Sequence, residues 1–417
     1  MLAPLPRIKA YEDMGLGLFI HWGLYSLLDQ GEWTEFIHQL PQAQYEQLIN
    51  DFTAQNFDAK KIAKAAKNMG AKYICLTTKH HEGFFLYDTC GLSDFDAPHS
   101  AAKRDLIKEF VDACNSEGIK PFFYMASYDW HHPDYEANFD NFLEYLRKSV
   151  EILCTNYGPI GGFWFDGNWN KKQANWKLDE LYGTIRKYQP ETIIINNTGL
   201  KNRGKISDPQ IDAVTYERRL PDVVNHGIGG DKYVAGEISL TLNQHWGVAS
   251  NDFDFKSPKE VIENICHARK VGANILVNIG LCGDGSISDI NEAYMKLIGK
   301  WIKIYGEAFY FGRPTQIKSS QNPKDFVLKV DDKTAYFFIH DLKVVGNSNV
   351  VLGGENVNPR TFYNLDETVT SLEWLDNEEK LSFVQDKIKG IITFDATGYR
   401  YGSDYVVRVA KANLKKG

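Results

Sequence analysis

The chain has 417 residues, of which 43% are hydrophobic and 24% are charged, and its formal net charge at pH 7 is −7. This length is too great for one ordinary core, so we expect one large domain and one smaller domain. The acidic balance argues against a nucleic acid or an anionic membrane surface as the main partner.

Targeting and redox features of the sequence are few. No apolar run approaches the ~20 residues that span a bilayer, and the start of the chain contains no apolar signal core. We therefore expect a cytoplasmic protein, or a mature form from which a signal has been removed. The six cysteines lack the paired spacing of metal or redox motifs, which indicates buried free thiols. We expect neither a metal nor a cofactor.

Strand-like and helix-like segments alternate from the start of the chain to about residue 305. The predicted strands are 17–22, 72–77, 121–125, 161–166, 192–196, 213–216, 233–237 and 274–278. The predicted helices are 58–69, 104–117, 139–156, 178–188, 258–271 and 291–305. The fifth of these helices has Ser257 as its N-cap and Pro258 at its first position.

This alternation predicts an α/β protein with a (β/α)8-type barrel, and a doubly wound sheet is the alternative. The barrel is favoured because polar side chains recur just past the strand ends, and because the sequence contains no glycine-rich phosphate-binding motif. After residue 312 helical periodicity stops, and short alternating runs predict an antiparallel β-sandwich. We therefore divide the chain into a (β/α)8-like domain, 1–312, and a C-terminal β-sandwich domain, 313–417. The alternating runs are 325–330, 334–339, 389–394 and 405–409.

The fourth predicted strand is an apolar run that ends on a single acid, Asp166, followed by Gly167. Parallel α/β barrels keep their catalytic groups at the carboxyl ends of the strands, which would place Asp166 on the catalytic face. The alternative is that this carboxylate only caps a strand or a turn.

Imidazole, indole and carboxylate side chains recur at other strand ends, without any metal-binding or phosphate-binding motif. Such a set is typical of a pocket for a polyol, because these groups hydrogen-bond hydroxyls while indole rings cover the apolar face of a sugar. Cleavage of a glycosidic bond requires two carboxyl groups, which Asp166 and either Glu217 or Glu237 can supply. The stretches are His21-Trp22-Gly23, Glu32-Trp33, Lys79-His80-His81-Glu82-Gly83-Phe84, Asp129-Trp130-His131-His132-Pro133-Asp134-Tyr135, Thr215-Tyr216-Glu217-Arg218-Arg219, Gly236-Glu237 and Trp246-Gly247.

These stretches, taken in order, resemble those of the α-L-fucosidases of glycoside hydrolase family 29. The resemblance extends over nearly the whole predicted barrel. The C-terminal part resembles the family only in being a predicted β-sandwich. Further matching segments are Trp164-Phe165-Asp166-Gly167, Asn274-Ile275-Leu276-Val277-Asn278-Ile279-Gly280, Asp284-Gly285 and Gly306-Glu307-Ala308.

The resemblance implies a barrel followed by a β-sandwich, with Asp166 as the nucleophile. It implies Glu217 as the acid/base, with Glu237 as the alternative, because the position of this residue varies within the family. The substrate implied is a fucosylated oligosaccharide or glycoconjugate, with no nucleic acid and no membrane partner, and the oligomeric state stays open. The residues implied to contact fucose, or in the case of Arg203 to steady the acid/base, are His21, Glu32, Trp33, His80, His81, Tyr124, Trp164, Arg203 and Trp246.

The sequence departs from the family pattern at two places. Glu82 stands where the family usually has Asp, and Leu281-Cys282 replaces a turn that usually contains proline.

The predicted function is therefore that of a retaining, exo-acting α-L-fucosidase. Asp166 attacks the anomeric carbon, and Glu217 first donates a proton to the leaving oxygen and then activates water. The two carboxyl groups of such an enzyme lie roughly 5–5.5 Å apart. Two alternatives are a retaining glycosidase for a related sugar, such as an α-galactoside, and a catalytically inactive fucose-binding relative. The presence of both Asp166 and Glu217 argues against the second, because a lectin does not need both.

Overall fold

The computed structural model describes residues 2–227, 230–354 and 358–415. The chain forms two compact units, one within 1–256 and 274–296 and the other within 257–273 and 297–417. Among the described residues, every helix is too short or too polar to cross a lipid bilayer.

The first unit is built on a closed barrel of eight parallel strands, which confirms the predicted (β/α)8-type fold over the doubly wound alternative. All eight predicted strands are present, and β1 pairs with both β2 and β8 to close the ring. The strands are β1 (Leu16–His21), β2 (Tyr73–Lys79), β3 (Lys120–Ala126), β4 (Gly162–Asp166), β5 (Ile193–Asn196), β6 (Ala213–Glu217), β7 (Ala235–Leu240) and β8 (Ala273–Gly280).

The helix that follows β7 begins at the N-cap residue predicted from the sequence. The predicted cap Ser257 accepts a hydrogen bond from the backbone N–H of Glu260, as an N-cap does. The longer helices are α1 (Pro6–Met14), α2 (Ala59–Met69), α3 (Leu106–Glu117), α4 (Phe139–Asn156), α5 (Leu178–Tyr188), α6 (Pro258–Lys270) and α7 (Asp289–Phe311). Shorter helical turns are Leu24–Leu27, Thr34–Ile37, Gln42–Glu46, Gln47–Asn50 and Asp134–Ala137.

Strict alternation fails between β5 and β7. The structure describes no helix in residues 197–212, or in the described residues of 218–234. Helix α1, which the sequence did not predict, contacts β5 and β7 and buries Ile8 and Tyr11. Two buried side chains in nine residues are too few to give a clear helical period, which explains why α1 was missed.

The barrel interior is filled mainly by aromatic side chains. Branched aliphatic residues usually dominate the core of such barrels, whereas here fully buried rings from β1 to β4 pack against each other. The ring of Phe19 lies 5.1 Å from that of Trp164, and the ring of Tyr73 lies 4.7 Å from that of Phe122. Aromatic residues make up 13% of the chain, and part of this content is therefore structural.

A buried carboxylate ties several elements together at the amino ends of the strands. Asp212, which directly precedes β6, has a fully buried side chain that pairs with Arg7 at 3.0 Å, Arg186 at 2.6 Å and Lys232 at 2.9 Å. It also accepts a hydrogen bond from the backbone N–H of Ile194, at 3.0 Å. Helices α1 and α5 are thereby joined to strands β5 and β6.

The second unit contains the predicted antiparallel β-sandwich. Its eight strands form one sheet in the order β13-β16-β11-β10-β9-β12-β15-β14, and contacts between β13 and β14 leave it nearly closed. All four predicted strands are present, and four further strands complete the sheet. The strands are β9 (Arg313–Ser319), β10 (Phe326–Asp331), β11 (Thr334–His340), β12 (Pro359–Tyr363), β13 (Thr368–Trp374), β14 (Phe383–Asp386), β15 (Ile391–Asp395) and β16 (Val407–Lys415).

The domain boundary at 312/313 stays a prediction. Strand β9, the first strand of the second sheet, begins at Arg313.

Candidate active site

A cavity of about 510 Å³ opens at the carboxyl ends of the barrel strands. Parallel barrels place their reactive groups at this end, because the loops that follow the strands converge there. The residues that line the cavity are Phe19, His21, Glu32, Trp33, His80, Tyr124, Trp164, Asp166, Trp169, Lys172, Asn197, Thr198, Gly199, Leu200, Lys201, Asn202, Glu217, Arg218 and Trp246.

Asp166 is the last residue of β4, and its carboxylate faces this cavity. One carboxylate oxygen, Oδ2, accepts a hydrogen bond from the hydroxyl of Tyr124 at 2.9 Å. The other, Oδ1, accepts from Trp169 Nε1 at 2.8 Å and from Asn197 Nδ2 at 3.1 Å. Burial raises the pKa of this carboxyl, but hydrogen bonding and charge from His81, with Trp169 and Tyr124, outweigh burial and hold it below its ordinary value.

The turn after Asp166 depends on a glycine. Gly167 has a φ of +106°, in the left-handed region, and a Cβ atom at this position would lie 2.5 Å from the backbone nitrogen of Tyr128. The loop after β3 therefore packs directly against the turn that carries Asp166.

Glu217 is the last residue of β6 and lines the same cavity. Its Oε2 accepts a hydrogen bond from Asn197 Nδ2 at 2.9 Å, so one amide group contacts both Glu217 and Asp166. Thr215 Oγ1 donates to Asn197 Oδ1 at 2.9 Å and thereby fixes the amide with its N–H groups toward the acids. Burial, followed by the negative charge of Asp166, raises the pKa of Glu217 above its ordinary value.

Arg203 does not line the cavity. Its guanidinium donates to the backbone carbonyl of Glu217 and, at 2.5 Å, to that of Leu200. It therefore supports the backbone that carries Glu217 and contacts the acid only indirectly.

Glu237 lies in the barrel interior, fully buried and outside the cavity lining. Its carboxylate accepts hydrogen bonds from Trp164 Nε1 at 2.7 Å, from the hydroxyl of Tyr73 at 2.9 Å and from the hydroxyl of Tyr11. All of these donors are buried, and burial raises the pKa of Glu237. Glu237 thus fixes the indole of Trp164, which forms part of the cavity wall.

Two of the predicted histidines line the cavity as neutral hydrogen-bonding groups. His21 Nδ1 lies 2.7 Å from Oδ1 of Asn278, and burial lowers the pKa of His21 to about 3. Burial also lowers the pKa of His80 well below its ordinary value. The Nδ1 atom of His80 is buried without a hydrogen-bond partner in the part of the chain that the structure describes.

The third predicted histidine, His81, supports Asp166. Its Nδ1 lies 2.9 Å from the backbone carbonyl oxygen of Tyr128, and its Nε2 lies 3.5 Å from Oδ2 of Asp166. The ring of His81 therefore lies between the loop after β3 and the carboxylate of Asp166.

The charged residues that flank this histidine pair are structural. Lys79 and Asp129 form a buried ion pair at 2.5 Å. Glu82 accepts hydrogen bonds from the backbone N–H groups of Leu24 at 3.1 Å and Tyr25 at 3.3 Å, so the longer side chain at this position is accommodated by the chain after β1.

Glu32 joins two loops at the rim of the cavity. Its carboxylate accepts hydrogen bonds from the backbone N–H groups of Trp246 at 2.9 Å and Gly247 at 2.8 Å. The neighbouring indole, Trp33, lies 6.2 Å from that of Trp169, and the guanidinium of Arg218 lies 5.3 Å from the ring of Trp246. These aromatic rings form apolar walls beside the two carboxyl groups.

The cavity lining includes groups that sequence reasoning did not assign to the site, among them Asn197, Trp169 and Arg218. The neighbouring Asn196, the last residue of the predicted strand 192–196, instead donates its amide to Tyr182 and to Asn168. Successive side chains of a strand face opposite ways. Because Asn196 lies outside the cavity lining, the next residue, Asn197, is the one that faces the cavity.

The chain is similar to known α-L-fucosidases in sequence and in fold. The α-L-fucosidase family profile matches residues 3–307 of the chain. A putative α-L-fucosidase of Caenorhabditis elegans is 28% identical over 349 residues, which cover 75% of this chain and 68% of that protein.

Two solved structures are similar to the whole chain. An α-L-fucosidase, isoenzyme 1, of Paenibacillus thiaminolyticus is 29% identical, with a TM-score of 0.84 and 99% of each chain covered. A family 29 α-L-fucosidase of Bacteroides thetaiotaomicron, trapped as a covalent intermediate with 2-fluoro-fucosyl fluoride, is 27% identical, with a TM-score of 0.83 and 99% and 97% of the two chains covered. Since the family profile covers most of the barrel and the fold matches throughout, the chain belongs to the α-L-fucosidase family of glycoside hydrolases.

Proposed function

We propose that the protein is a retaining, exo-acting α-L-fucosidase that removes terminal α-L-fucosyl groups from oligosaccharides or glycoconjugates. Asp166 is the nucleophile and Glu217 is the acid/base. The observation that carries this proposal is the contact of both carboxylates with one nitrogen atom, Asn197 Nδ2, at 3.1 and 2.9 Å.

This shared contact limits the separation of the two acids. Two oxygens bound to the same nitrogen at these distances are at most about 6 Å apart, the sum of the two bonds, which is compatible with the roughly 5–5.5 Å of retaining enzymes. Inverting enzymes need more room, about 6.5–9.5 Å, for a water molecule between the carboxyl groups. The spacing therefore supports double displacement.

In the first step an oxygen of ionised Asp166 bonds to the anomeric carbon, and the glycosidic C–O bond breaks. Protonated Glu217 gives its proton to the leaving oxygen. In the second step Glu217 takes a proton from water, whose oxygen bonds to the anomeric carbon and displaces Asp166. The pKa of Glu217 falls between the two steps, because the ester formed on Asp166 no longer carries a negative charge.

The pocket residues divide the recognition of fucose between polar and apolar groups. His21 and His80 line the cavity as neutral imidazoles that exchange hydrogen bonds with hydroxyls, and Glu32 extends the polar side. Trp33, Trp164 and Trp246 are proposed to cover the apolar faces of the ring and its methyl group. A site built to pair each hydroxyl rejects sugars that lack one, because a buried polar group is then left unpaired.

We propose 1–312 as the catalytic domain and 313–417 as a structural appendage. A role for the appendage in carbohydrate binding is not needed for the reaction, since all the residues assigned above precede it.

The test uses a chromogenic aryl α-L-fucoside together with 2-fluoro-fucosyl fluoride. We expect hydrolysis of the fucoside, and we expect mass spectrometry to locate one fucosyl label on the peptide that contains Asp166. Asp166→Ala should abolish both while the circular dichroism spectrum stays unchanged, and Asp51→Ala, at an exposed acid, serves as the control. Preferential cleavage of an α-galactoside would favour a retaining glycosidase for that related sugar. Absence of hydrolysis of every aryl glycoside tested would favour a binding protein.

A further inference from the structure

The active-site cavity continues into a second depression of about 530 Å³, which we call the side groove. It lies between the loop after β4, 167–177, and the loop after β5, 197–212. A sugar bound to the leaving oxygen extends out of the active site, and the side groove is a concave surface that adjoins it. The residues that line both spaces are Trp169, Lys172, Asn197, Thr198 and Asn202.

Three exposed lysines border this path. Lys172 lines both spaces, Lys201 lines the active-site cavity and Lys205 lines the side groove. Within the described ranges, none of their ammonium groups has a carboxylate or other hydrogen-bond partner. The two loops therefore contribute three positive charges that are free to bind a ligand.

The acids along the active-site end of this path are already engaged. Glu32 is held by two backbone N–H groups, and Asp166 by three side-chain donors. Glu217 is proposed to carry a proton when substrate binds. The remaining cation, Arg218, lies over the ring of Trp246 and donates to the carbonyl of Gln244 at 2.7 Å.

The acids of the side groove are engaged as well. Gln210 contacts both of them, with its side-chain amide 3.0 Å from Asp179 and its backbone N–H 2.7 Å from Asp208. Lys177, the fourth lysine of this region, pairs with Asp140 at 2.7 Å. Asp179 and Asp208 keep their negative charges, whereas Lys172 and Lys205 have no carboxylate partner among the described residues, so these two lysines are the cations of the side groove that can pair with an anionic ligand.

We propose that the side groove binds the sugar that carries the fucose, and that it prefers a glycan with an anionic group there, a sulfate ester or a carboxylate. Lys172, Lys201 and Lys205 supply the charge-assisted hydrogen bonds. The indole of Trp169 and the amide of Asn202 offer an apolar surface and hydrogen bonds to the same sugar. This inference rests on the proposed fucosidase function and adds the class of leaving group.

The test compares three fucosylated disaccharides. One is neutral, one carries a sulfate ester on the hexose next to fucose, and one has a uronic acid in place of that hexose. We expect kcat/KM for at least one anionic substrate to exceed that of the neutral substrate by at least about fivefold at low salt. The ratio should fall as ionic strength rises, since exposed charges are screened. The two anionic substrates separate a sulfate site from a carboxylate site.

A triple variant, Lys172→Gln, Lys201→Gln and Lys205→Gln, should bring the ratio of anionic to neutral kcat/KM close to one. The matched control is Lys60→Gln, Lys61→Gln and Lys64→Gln on helix α2, which removes three exposed lysines outside both spaces. The control should keep the ratio of the unmodified protein, since both triple variants change the net charge equally.

Binding of the fucose-free disaccharide products, measured by saturation-transfer NMR, gives a second readout that does not require turnover. If the protein did not hydrolyse the aryl fucoside, the proposed function would be refuted. The binding measurement would still test whether the side groove prefers an anionic sugar. A neutral substrate cleaved as fast as both anionic ones, an unchanged ratio in the side-groove variant, or no binding preference for an anionic product would overturn it. Cleavage of the aryl fucoside without cleavage of any disaccharide would overturn it too.

Discussion

At the residue scale, the two acids of the site differ because their surroundings differ. Asp166 has donors on both carboxylate oxygens, while Glu217 has one amide and the negative charge of its neighbour. Their pKa values are therefore pushed apart, the first down and the second up. This is the arrangement that lets one carboxyl act as a base or nucleophile and the other as an acid at the same pH.

A bell-shaped pH dependence of kcat/KM should result. In the proposed mechanism, activity needs Asp166 ionised, so the acid limb should lie below the ordinary Asp value of about 3.9. Activity also needs Glu217 protonated, so the alkaline limb should lie above the ordinary Glu value of about 4.3. A pH titration of kcat/KM with an aryl fucoside measures both limbs, and an alkaline limb below that Glu value would contradict the assignment.

Leaving-group dependence should separate Glu217 from Glu237. Glu217→Gln should slow fucosides with poor leaving groups by at least about 100-fold, slow a nitrophenyl fucoside much less, and remove the alkaline limb. Glu237→Gln should instead lower the melting temperature, because buried donors that Glu237 now satisfies lose an acceptor, which costs about 1–3 kcal/mol. If the Glu237 variant, and not the Glu217 variant, slowed mainly the fucosides with poor leaving groups, Glu237 would be the acid/base.

At the element scale, the barrel is held at its amino ends by Asp212 and its three cationic partners. Burial raises the pKa of Asp212, but the hydrogen bond from Arg7 and the charges of Arg186 and Lys232 hold it below its ordinary value. A carboxyl with a lowered folded-state pKa stabilises the protein at neutral pH, and this contribution is lost as pH falls through the folded-state pKa.

Asp212→Asn should lower the free energy of unfolding by about 3 kcal/mol at pH 7, because it leaves three cations without their buried counter-charge. The loss should shrink as the pH falls from 7 to about 3, because the stabilisation by a carboxyl with a lowered folded-state pKa is lost progressively below its ordinary value of about 3.9. Urea unfolding at the two pH values measures this difference. Asp13→Asn, which breaks an exposed pair with Lys9, should cost less than about 1 kcal/mol, and equal losses in the two variants would contradict the account.

The parts of the barrel that could be predicted are those with a clear local pattern of apolar and turn residues. Each strand is an apolar run bounded by turn residues, so all eight were found, and Asp166 was placed at a strand end. The connections after β5 and β6 lack helices, which a rule of alternation cannot anticipate. Glu237 also matched a glutamate of the family and was the alternative acid/base, and the packing of Tyr11 and Tyr73 around it shows that it belongs to the core.

At the scale of the whole molecule, the predicted free thiols are present in both units. Cys75, Cys114, Cys154 and Cys266 are buried, and Cys90 is exposed. Burial raises the pKa of each of the four buried thiols, and a protonated, inaccessible thiol reacts slowly.

In the native protein, Ellman's reagent should therefore modify Cys90 rapidly, the half-buried Cys282 more slowly, and these four thiols only after denaturation. Cys90→Ser should remove the fast phase without changing the melting temperature. The sites modified can be identified by mass spectrometry of the peptides, and fast modification of a buried thiol in the native state would contradict the prediction.

Two hydrogen bonds that orient side chains of the active-site cavity join residues far apart in the chain. The cavity can therefore form only after its last segments have been synthesised. His21 is oriented by Asn278, and Glu32 by the backbone of Trp246, across 257 and 214 residues of chain. A nascent chain that already contains Asp166 still lacks both partners, since they are synthesised later. Hydrolysis of a fucoside therefore reports that the ring of strands has closed, and the appearance of activity during synthesis or refolding can time that event.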